Sequence, residues 1–283
     1  MPSSNGVPVS FGADYFAPML DSTGLLDEPR LLRERYLEEG YLLLRGVLDP
    51  GLLWHARAAY FASFPPGYLK PGTSPAEGVY SGHYPPGLPA YGVRGHPAHA
   101  FTRSRCFTEL TAARRLGVVA ETLLGGPANL VPRKVLRHFD LGAKQASRAH
   151  VDHAYPSGAG GQMVTVWIPI GHCPLDTGGL IYLRGSHRLG RAVIDAPRLM
   201  SDRPDDSRPI SHDLEWTART LGGKWLWTDF RAGDVALHCP GIVHASLDIT
   251  TEVMRLSADI RYQQAGERIY PAWSRAWAAD DGA

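Results

Sequence analysis

His150-Val-Asp152, with His244 and Arg255 far downstream, is where residue type and spacing in this 283-residue chain most directly imply chemistry. Side chains alternate between the faces of an extended strand, so His150 and Asp152 share a face about 6–7 Å apart and are able to grip one ion. His244 adds a second imidazole, giving two nitrogens and one carboxylate on one side of a metal. That donor set suits non-haem Fe(II) and leaves coordination positions open for reactants. A lone His-x-Asp triplet carries little weight in a chain with 12 histidines, so the surrounding segment decides its meaning.

That segment, from Asp234 to Ile260, reads as strand, turn, strand: β-branched and apolar residues flank a polar cluster from Asp248 to Glu252. A turn centred between Ile249 and Thr250 pairs His244 with Arg255 and Ser246 with Val253. This register sets a cation and a hydroxyl beside the metal ligands. A guanidinium presents a fork of donors matched to a carboxylate, so an anionic co-substrate is the expected occupant. On its own, Arg255 reads better as a surface arginine on an edge strand; beside a candidate ligand and a serine, the functional reading is preferred.

The elements that must position these groups fall into two halves. Asp27 to Glu39 carries Leu31, Leu32, Tyr36 and Leu37 on one helical stripe, and Gly40 ends it. A buried strand from Tyr41 to Arg45 follows, and Asp49-Pro50 caps a second helix running to about Phe61. Two further helices are expected between Ser104 and Leu124, stopped by Gly125-Gly126-Pro127. Phe64 to Phe101, rich in proline, glycine and tyrosine, lacks either period; its aromatic residues favour a packed lid, with an Ω-like loop as the alternative. Strand-like runs then dominate: Asn129–Phe139, Arg148–Tyr155, Met163–Ile170, Gly179–Leu183, Trp225–Phe230, Asp234–His238, Ile242–Leu247 and Met254–Gln263. Such short strands between glycine and proline turns point to a sandwich or barrel. The expected organisation is one domain over 1–283: a helical part at about 20–125, a β jelly roll at about 129–264, and an insertion at about 195–223 with a helix near Leu214 to Leu221. The first ten or so residues and the last six read as loose tails.

Composition narrows the function classes. The formal charge of +1, with no basic run, argues against nucleic acid, and no apolar stretch approaches the roughly 18 residues of a membrane span. The start lacks a basic region followed by an apolar one, so a cytoplasmic enzyme is expected. Cys106, Cys173 and Cys239 are odd in number and far apart, which disfavours a disulfide framework or a thiolate zinc site.

With these pieces in place the chain resembles the phytanoyl-CoA dioxygenase family of Fe(II)- and 2-oxoglutarate-dependent oxygenases. The resemblance rests on His150-Val-Asp152, Trp167, Thr177-Gly-Gly-Leu-Ile-Tyr-Leu-Arg-Gly-Ser-His187, Ala232-Gly-Asp-Val235, His244-Ala-Ser246 and Arg255, in family order over the C-terminal half. It implies a double-stranded β-helix of cupin-like jelly-roll type, with His150, Asp152 and His244 as iron ligands. It further implies Arg255 and Ser246 on the distal carboxylate of 2-oxoglutarate, Trp167 near the site, and Arg137 reaching the other carboxylate. Gly178-Gly179 and Gly185-Ser186-His187 then read as structural. Arg184 replaces a usual proline and Ala245 a common glycine, neither within the ligand set. The implied chemistry uses O2 and 2-oxoglutarate, releases succinate and carbon dioxide, and hydroxylates, cyclises or desaturates a small molecule. Halogenation is not expected, since Asp152 fills the position that chloride needs. A secondary metabolite such as a sugar, aminocyclitol or polyketide derivative is the preferred substrate class. The tyrosines and His83 of the proline-rich segment, with Trp225, Trp227 and Arg231, are candidates to contact it. The alternatives are a non-oxidative jelly-roll metal-binding protein and a cupin-type isomerase or hydrolase.

Overall fold

The computed structural model describes residues 1–142, 146–152, 163–194, 204, 210–269 and 271–276. The N-terminal half contains β1 (Ser3–Ser4), β2 (Val7–Pro8), β3 (Phe16–Pro18), α1 (Pro29–Glu39), β4 (Tyr41–Leu44), α2 (Pro50–Phe61), α3 (Pro97–Phe101), α4 (Arg105–Thr111) and α5 (Arg114–Leu124). Strands β5 (Ala128–Leu130), β6 (Val135–Phe139), β7 (Met163–Pro169) and β8 (Leu180–Leu183) follow, then α6 (Arg191–Ile194) and α7 (Leu214–Leu221). The chain ends on β9 (Trp225–Trp227), β10 (Val235–His238), β11 (His244–Ser246) and β12 (Arg255–Gln264).

Local chemistry sets the helix ends. The Asp49 carboxylate accepts from the Gly51 amide at 2.9 Å, and Pro50 occupies the first turn of α2. Gly40 closes α1 in the left-handed region at φ 76°, its amide bonded to the Tyr36 carbonyl. The apolar stripe of α1 is narrower than its sequence implies: Leu32 and Tyr36 are buried, whereas Leu31 and Leu37 are exposed. The helix packs on β4 and α5 through one edge only.

The strands form two facing sheets. The larger runs β4-β10-β7-β12-β5, with β6 also paired to β12; the smaller runs β11-β8-β9-β3. Period two explains how the larger sheet divides its side chains. In β12, Leu256, Ala258, Ile260 and Tyr262 join the apolar core under the helices. The alternate residues Arg255, Ser257, Asp259, Arg261 and Gln263 are buried as well, so they face the other sheet. In β7, Val164, Val166 and Ile168 join the helical core, which leaves Thr165 and Trp167 to the interior between the sheets. A second apolar cluster, including Ile181, Leu183, Trp225 and residues of α7, covers the back of the smaller sheet.

Several expectations need correction. The run Asn129–Phe139 is two strands, β5 and β6, which pair with different stretches of β12. The N-terminal ten residues are not a loose tail: β1 pairs with β2, and the Ser3 hydroxyl and the Asn5 and Gly6 amides bond the Asp248 carboxylate. The Phe64–Phe101 segment contains α3, capped by the His96 side chain. Of the expected strand Arg148–Tyr155, residues 153–155 lie outside the described ones, as do 195–203 and 205–209 of the expected insertion and the end from 277.

Arg57 on α2 ties these parts together. Its buried guanidinium donates to the carbonyls of Ala76 at 2.8 Å, Ile170 at 3.1 Å, Glu77 at 3.1 Å and Met254 at 2.6 Å. One side chain thereby fixes the loop before Tyr80, the end of β7 and the residue preceding Arg255. Arg57→Met leaves several buried carbonyls without a donor, each worth about 1–3 kcal/mol, and is expected to lower unfolding stability by at least about 3 kcal/mol in urea titrations. A loss below about 1 kcal/mol would show that these bonds are replaced by water.

Candidate metal centre

His150 and His244 meet across an isolated antiparallel bridge, with His150 N to His244 O at 3.0 Å and His244 N to His150 O at 2.9 Å. Their ring centroids are 4.1 Å apart. His150 Nδ1 lies 2.7 Å from the Arg148 carbonyl and His244 Nδ1 lies 3.1 Å from the Ile242 carbonyl. A carbonyl only accepts, so each Nδ1 carries the hydrogen and each Nε2 keeps a lone pair free for a metal. Ligand atoms of His150, Asp152 and His244 all lie within 4.8 Å of one another.

Asp152 is held from several sides. Its Oδ2 accepts from the Thr165 hydroxyl at 2.7 Å and faces His238 Nε2 at 3.6 Å. Its Oδ1 lies 3.9 Å from His244 Nε2 and 3.5 Å from Arg261 Nη2. Burial pushes this carboxyl up, but Arg261, His238 and His244 outweigh it and hold the group well below the usual carboxylate range. His150 is pushed down by burial, against the pull of Asp152. His244 is pushed well down by burial, with His150 and His238 adding to the effect. Neutral imidazoles beside an ionised carboxylate are the protonation states that metal binding requires.

Arg255 reaches the same cavity by a different route from the expected one. The hairpin pairing His244 with Arg255 and Ser246 with Val253 does not form: His244 pairs with Tyr182, Ser246 with Leu180, and Arg255 with Phe139. The polar stretch 248–252 is a crossover between the two sheets, held by Asp248 on the N-terminal hairpin and by the Thr250 amide on the Asp176 carbonyl. Arg255 and Ser246 nevertheless line one cavity, because β11 and β12 face each other across it. The Arg255 guanidinium lies 3.6 Å from the centroid of the Phe139 ring and donates to the Gly178 carbonyl. Its Nε is buried with no hydrogen-bond partner among the described residues. Ser246 Oγ accepts from the Ser147 amide at 2.7 Å, which leaves its own hydrogen free to donate.

Trp167 lines the cavity and packs on Phe230 at 4.7 Å. Arg137 also faces inward, paired with Asp259 at 2.7 Å. The proline-rich segment stays away from this cavity: Tyr68 and Tyr80 join the core under the larger sheet, where Tyr68 bonds His138 and Asp140. Trp225 is buried behind the smaller sheet, and Trp227 and Arg231 line a separate cleft beside Arg45. The expected substrate contacts of these residues therefore have no support in the cavity lining, which contains none of them. His187 packs against Gly40, outside the metal cluster.

His238, Thr165, Asp259 and Arg261 were not singled out from the sequence. The alternation of β12, polar at odd positions and apolar at even ones, was the signal for Asp259 and Arg261. His238 carried none, because its role depends on Tyr182 from the other sheet. The Tyr182 hydroxyl, kept protonated by burial, donates to His238 Nδ1 at 2.9 Å, which turns the Nε2 hydrogen toward Asp152.

The family model described as phytanoyl-CoA dioxygenase matches residues 97–257. The chain belongs to the phytanoyl-CoA dioxygenase family. It is accordingly a non-haem iron oxygenase that uses ferrous iron, 2-oxoglutarate and O2 on a small-molecule substrate, and the non-oxidative alternatives fall away. It is 26% identical over 270 residues to a 1-deoxypentalenic acid 11-beta-hydroxylase of Streptomyces arenae, covering 89% of this chain and 87% of that protein. Its fold is similar to that of the epimerase SnoN from nogalamycin biosynthesis, solved with Fe3+, alpha-ketoglutarate and nogalamycin RO (TM-score 0.56, 21% identity, 87% and 88% of the two chains). It is similar also to EctD from S. alaskensis (TM-score 0.56, 18% identity, 93% and 86% of the two chains). These likenesses agree with the jelly-roll core expected from the strand pattern.

Two outcomes follow from the geometry around the ligands. His238→Leu removes the donor facing Asp152 and is expected to weaken Mn(II) binding roughly 10–100-fold in anaerobic titrations, with the circular dichroism spectrum retained. Gly178→Ala places a Cβ 2.5 Å from the Leu247 carbonyl oxygen at a φ of +79°, so the carbonyl that seats Arg255 must shift. Weaker 2-oxoglutarate binding with unchanged Mn(II) binding is the expected result, and normal affinity for both would contradict it.

Proposed function

We propose that His150, Asp152 and His244 hold the ferrous ion facially and that Arg255 and Ser246 receive the distal carboxylate of 2-oxoglutarate, with Trp167 as a wall and Arg137 reaching the other carboxylate. The observation that carries this reading is the cavity itself. Two imidazoles with pinned Nδ1 hydrogens and an ionised carboxylate converge there, beside a buried arginine with an unpartnered Nε. Bound iron, 2-oxoglutarate and O2 supply an oxidation that takes a hydrogen atom from a substrate carbon, releasing succinate and carbon dioxide. The chain's own part is to orient and to exclude water. The two backbone carbonyls aim the imidazoles, Thr165 and His238 face the carboxylate, Trp167 gives the cavity an apolar wall, and Phe139 backs the Arg255 guanidinium.

Hydroxylation of a secondary metabolite is the reading we favour. The relative from Streptomyces arenae is a hydroxylase by name, and the structural neighbours include an epimerase and a carbocyclase, so ring-bearing natural products are the class in view. We set the reaction in the cytoplasm. Cys106, Cys173 and Cys239 are free thiols, and no helix among the described residues is long and apolar enough to cross a membrane.

Anaerobic addition of Fe(II) and 2-oxoglutarate is the test, read as the weak visible charge-transfer band of a chelated keto acid. Asp152→Ala should abolish the band and succinate formation. Arg255→Met should retain metal binding but lose about 2–5 kcal/mol of 2-oxoglutarate affinity, the usual cost of breaking a buried charge-assisted pair. A full band in Asp152→Ala, or wild-type affinity in Arg255→Met, would remove these assignments.

A further inference from the structure

The cavity holds one more cation than its own acids balance. Among the described residues that line it, Arg137, Arg255 and Arg261 face only Asp152 and Asp259. Arg137 is paired with Asp259 at 2.7 Å. Arg255 is the proposed seat of the co-substrate, and a ferrous ion and a doubly charged keto-diacid cancel each other in formal charge. One positive charge remains among buried side chains, where an uncompensated charge is costly.

The excess localises at Arg261. This residue is 6% exposed, and its Nε and Nη1 have no hydrogen-bond partner among the described residues. Its Nη2 stands 3.5 Å from Asp152 Oδ1, the oxygen that also faces His244 Nε2, so the side chain borders the proposed metal position. The guanidinium is fixed from behind, 3.9 Å from the centroid of the Trp273 ring. Stacked on one face, a guanidinium has its donors only in its own plane, which suits a flat, two-oxygen acceptor. Arg261 occupies the cavity together with Arg255 on the same strand, six residues away on the same face, so the two cations are well separated along β12.

We infer that Arg261 is the substrate anchor and that the substrate is a monocarboxylic acid, its carboxylate seated on Nε and Nη1 while the rest of the molecule lies beside the metal. The inference rests on the oxygenase reading above and narrows it. A single excess charge matches a carboxylate better than a phosphate monoester, which brings two. An aminocyclitol adds a further cation to a positive cavity and is disfavoured; an acid-bearing carbocycle or polyketide is not.

Matched probes test this: benzoate with benzamide, cyclohexanecarboxylate with its primary amide, and adamantane-1-carboxylate with its primary amide. Each is titrated calorimetrically into the full chain loaded with Mn(II) and 2-oxoglutarate, and into the metal-free chain. At least one acid should bind at least tenfold more tightly than its amide. Arg261→Met should erase that preference and Arg261→Lys should restore part of it, each measured at Mn(II) and 2-oxoglutarate concentrations that saturate the variant, because Arg261 also supports Asp152. Equal binding of every acid and amide, no binding by any acid, or a preference that survives Arg261→Met would overturn the inference. So would a preference that Thr165→Val, which loosens Asp152 but leaves Arg261 in place, removes as fully as Arg261→Met, because Arg261 would then act only through Asp152. The two readings fail separately. A missing charge-transfer band with the acid preference intact removes the oxygenase assignment, whereas an intact band without any preference removes the anchor.

Discussion

A carboxylate enclosed between two sheets is the constraint from which the rest of this structure follows. Asp152 must remain ionised to ligate a metal, yet burial alone favours its neutral form. The fold answers with partners from several elements: Thr165 from β7, His238 from β10, His244 from β11 and Arg261 from β12. Three of those strands are neighbours in the larger sheet, and the fourth belongs to the smaller one. No single hairpin supplies them all, so the site exists only once the sheets face each other.

That requirement explains why the interior between the sheets is polar at one end. The larger sheet gives its apolar face to the helices, where Leu256, Ala258 and Ile260 pack, and its polar face to the cavity. At the other end of the interior Tyr41, Trp167, Tyr182, Leu226 and Phe230 fill the space with rings and aliphatic groups. Tyr182 serves both ends, stacking on Tyr41 at 5.1 Å while its hydroxyl bonds His238. The cavity is thus built against a floor of packed rings and aliphatic groups.

Rigid support also comes from outside the sheets. Arg57 fixes the chain at Met254, immediately before Arg255, the proposed seat of the co-substrate, and Gly178 presents the carbonyl on which that arginine rests. The N-terminal hairpin holds Asp248 and so anchors the crossover that carries the chain from β11 to β12. Segments that look peripheral in the sequence therefore help to place Arg255 relative to the candidate metal group.

From the chemistry of imidazole and carboxylate, the sequence by itself singled out His150, Asp152 and His244 as a candidate metal set, whose ligand atoms the structure brings within 4.8 Å of one another. It also determined the helix caps at Asp49 and Gly40, the jelly-roll class, and the presence of Arg255 and Ser246 near the site. The tertiary structure alone decided how Arg255 arrives. A polar run such as Asp248 to Glu252 is compatible with a tight turn or with a crossover, and only the demand that both β11 and β12 turn their polar faces inward selects the crossover. For the same reason Tyr68 and Tyr80 of the proline-rich segment read as ligand contacts in sequence but pack in the core, whereas Tyr84 is exposed: burial depends on which face a loop covers, not on its composition. His238 and Arg261 became visible only when strands distant in sequence closed around Asp152, since a buried charge acquires its partners through space.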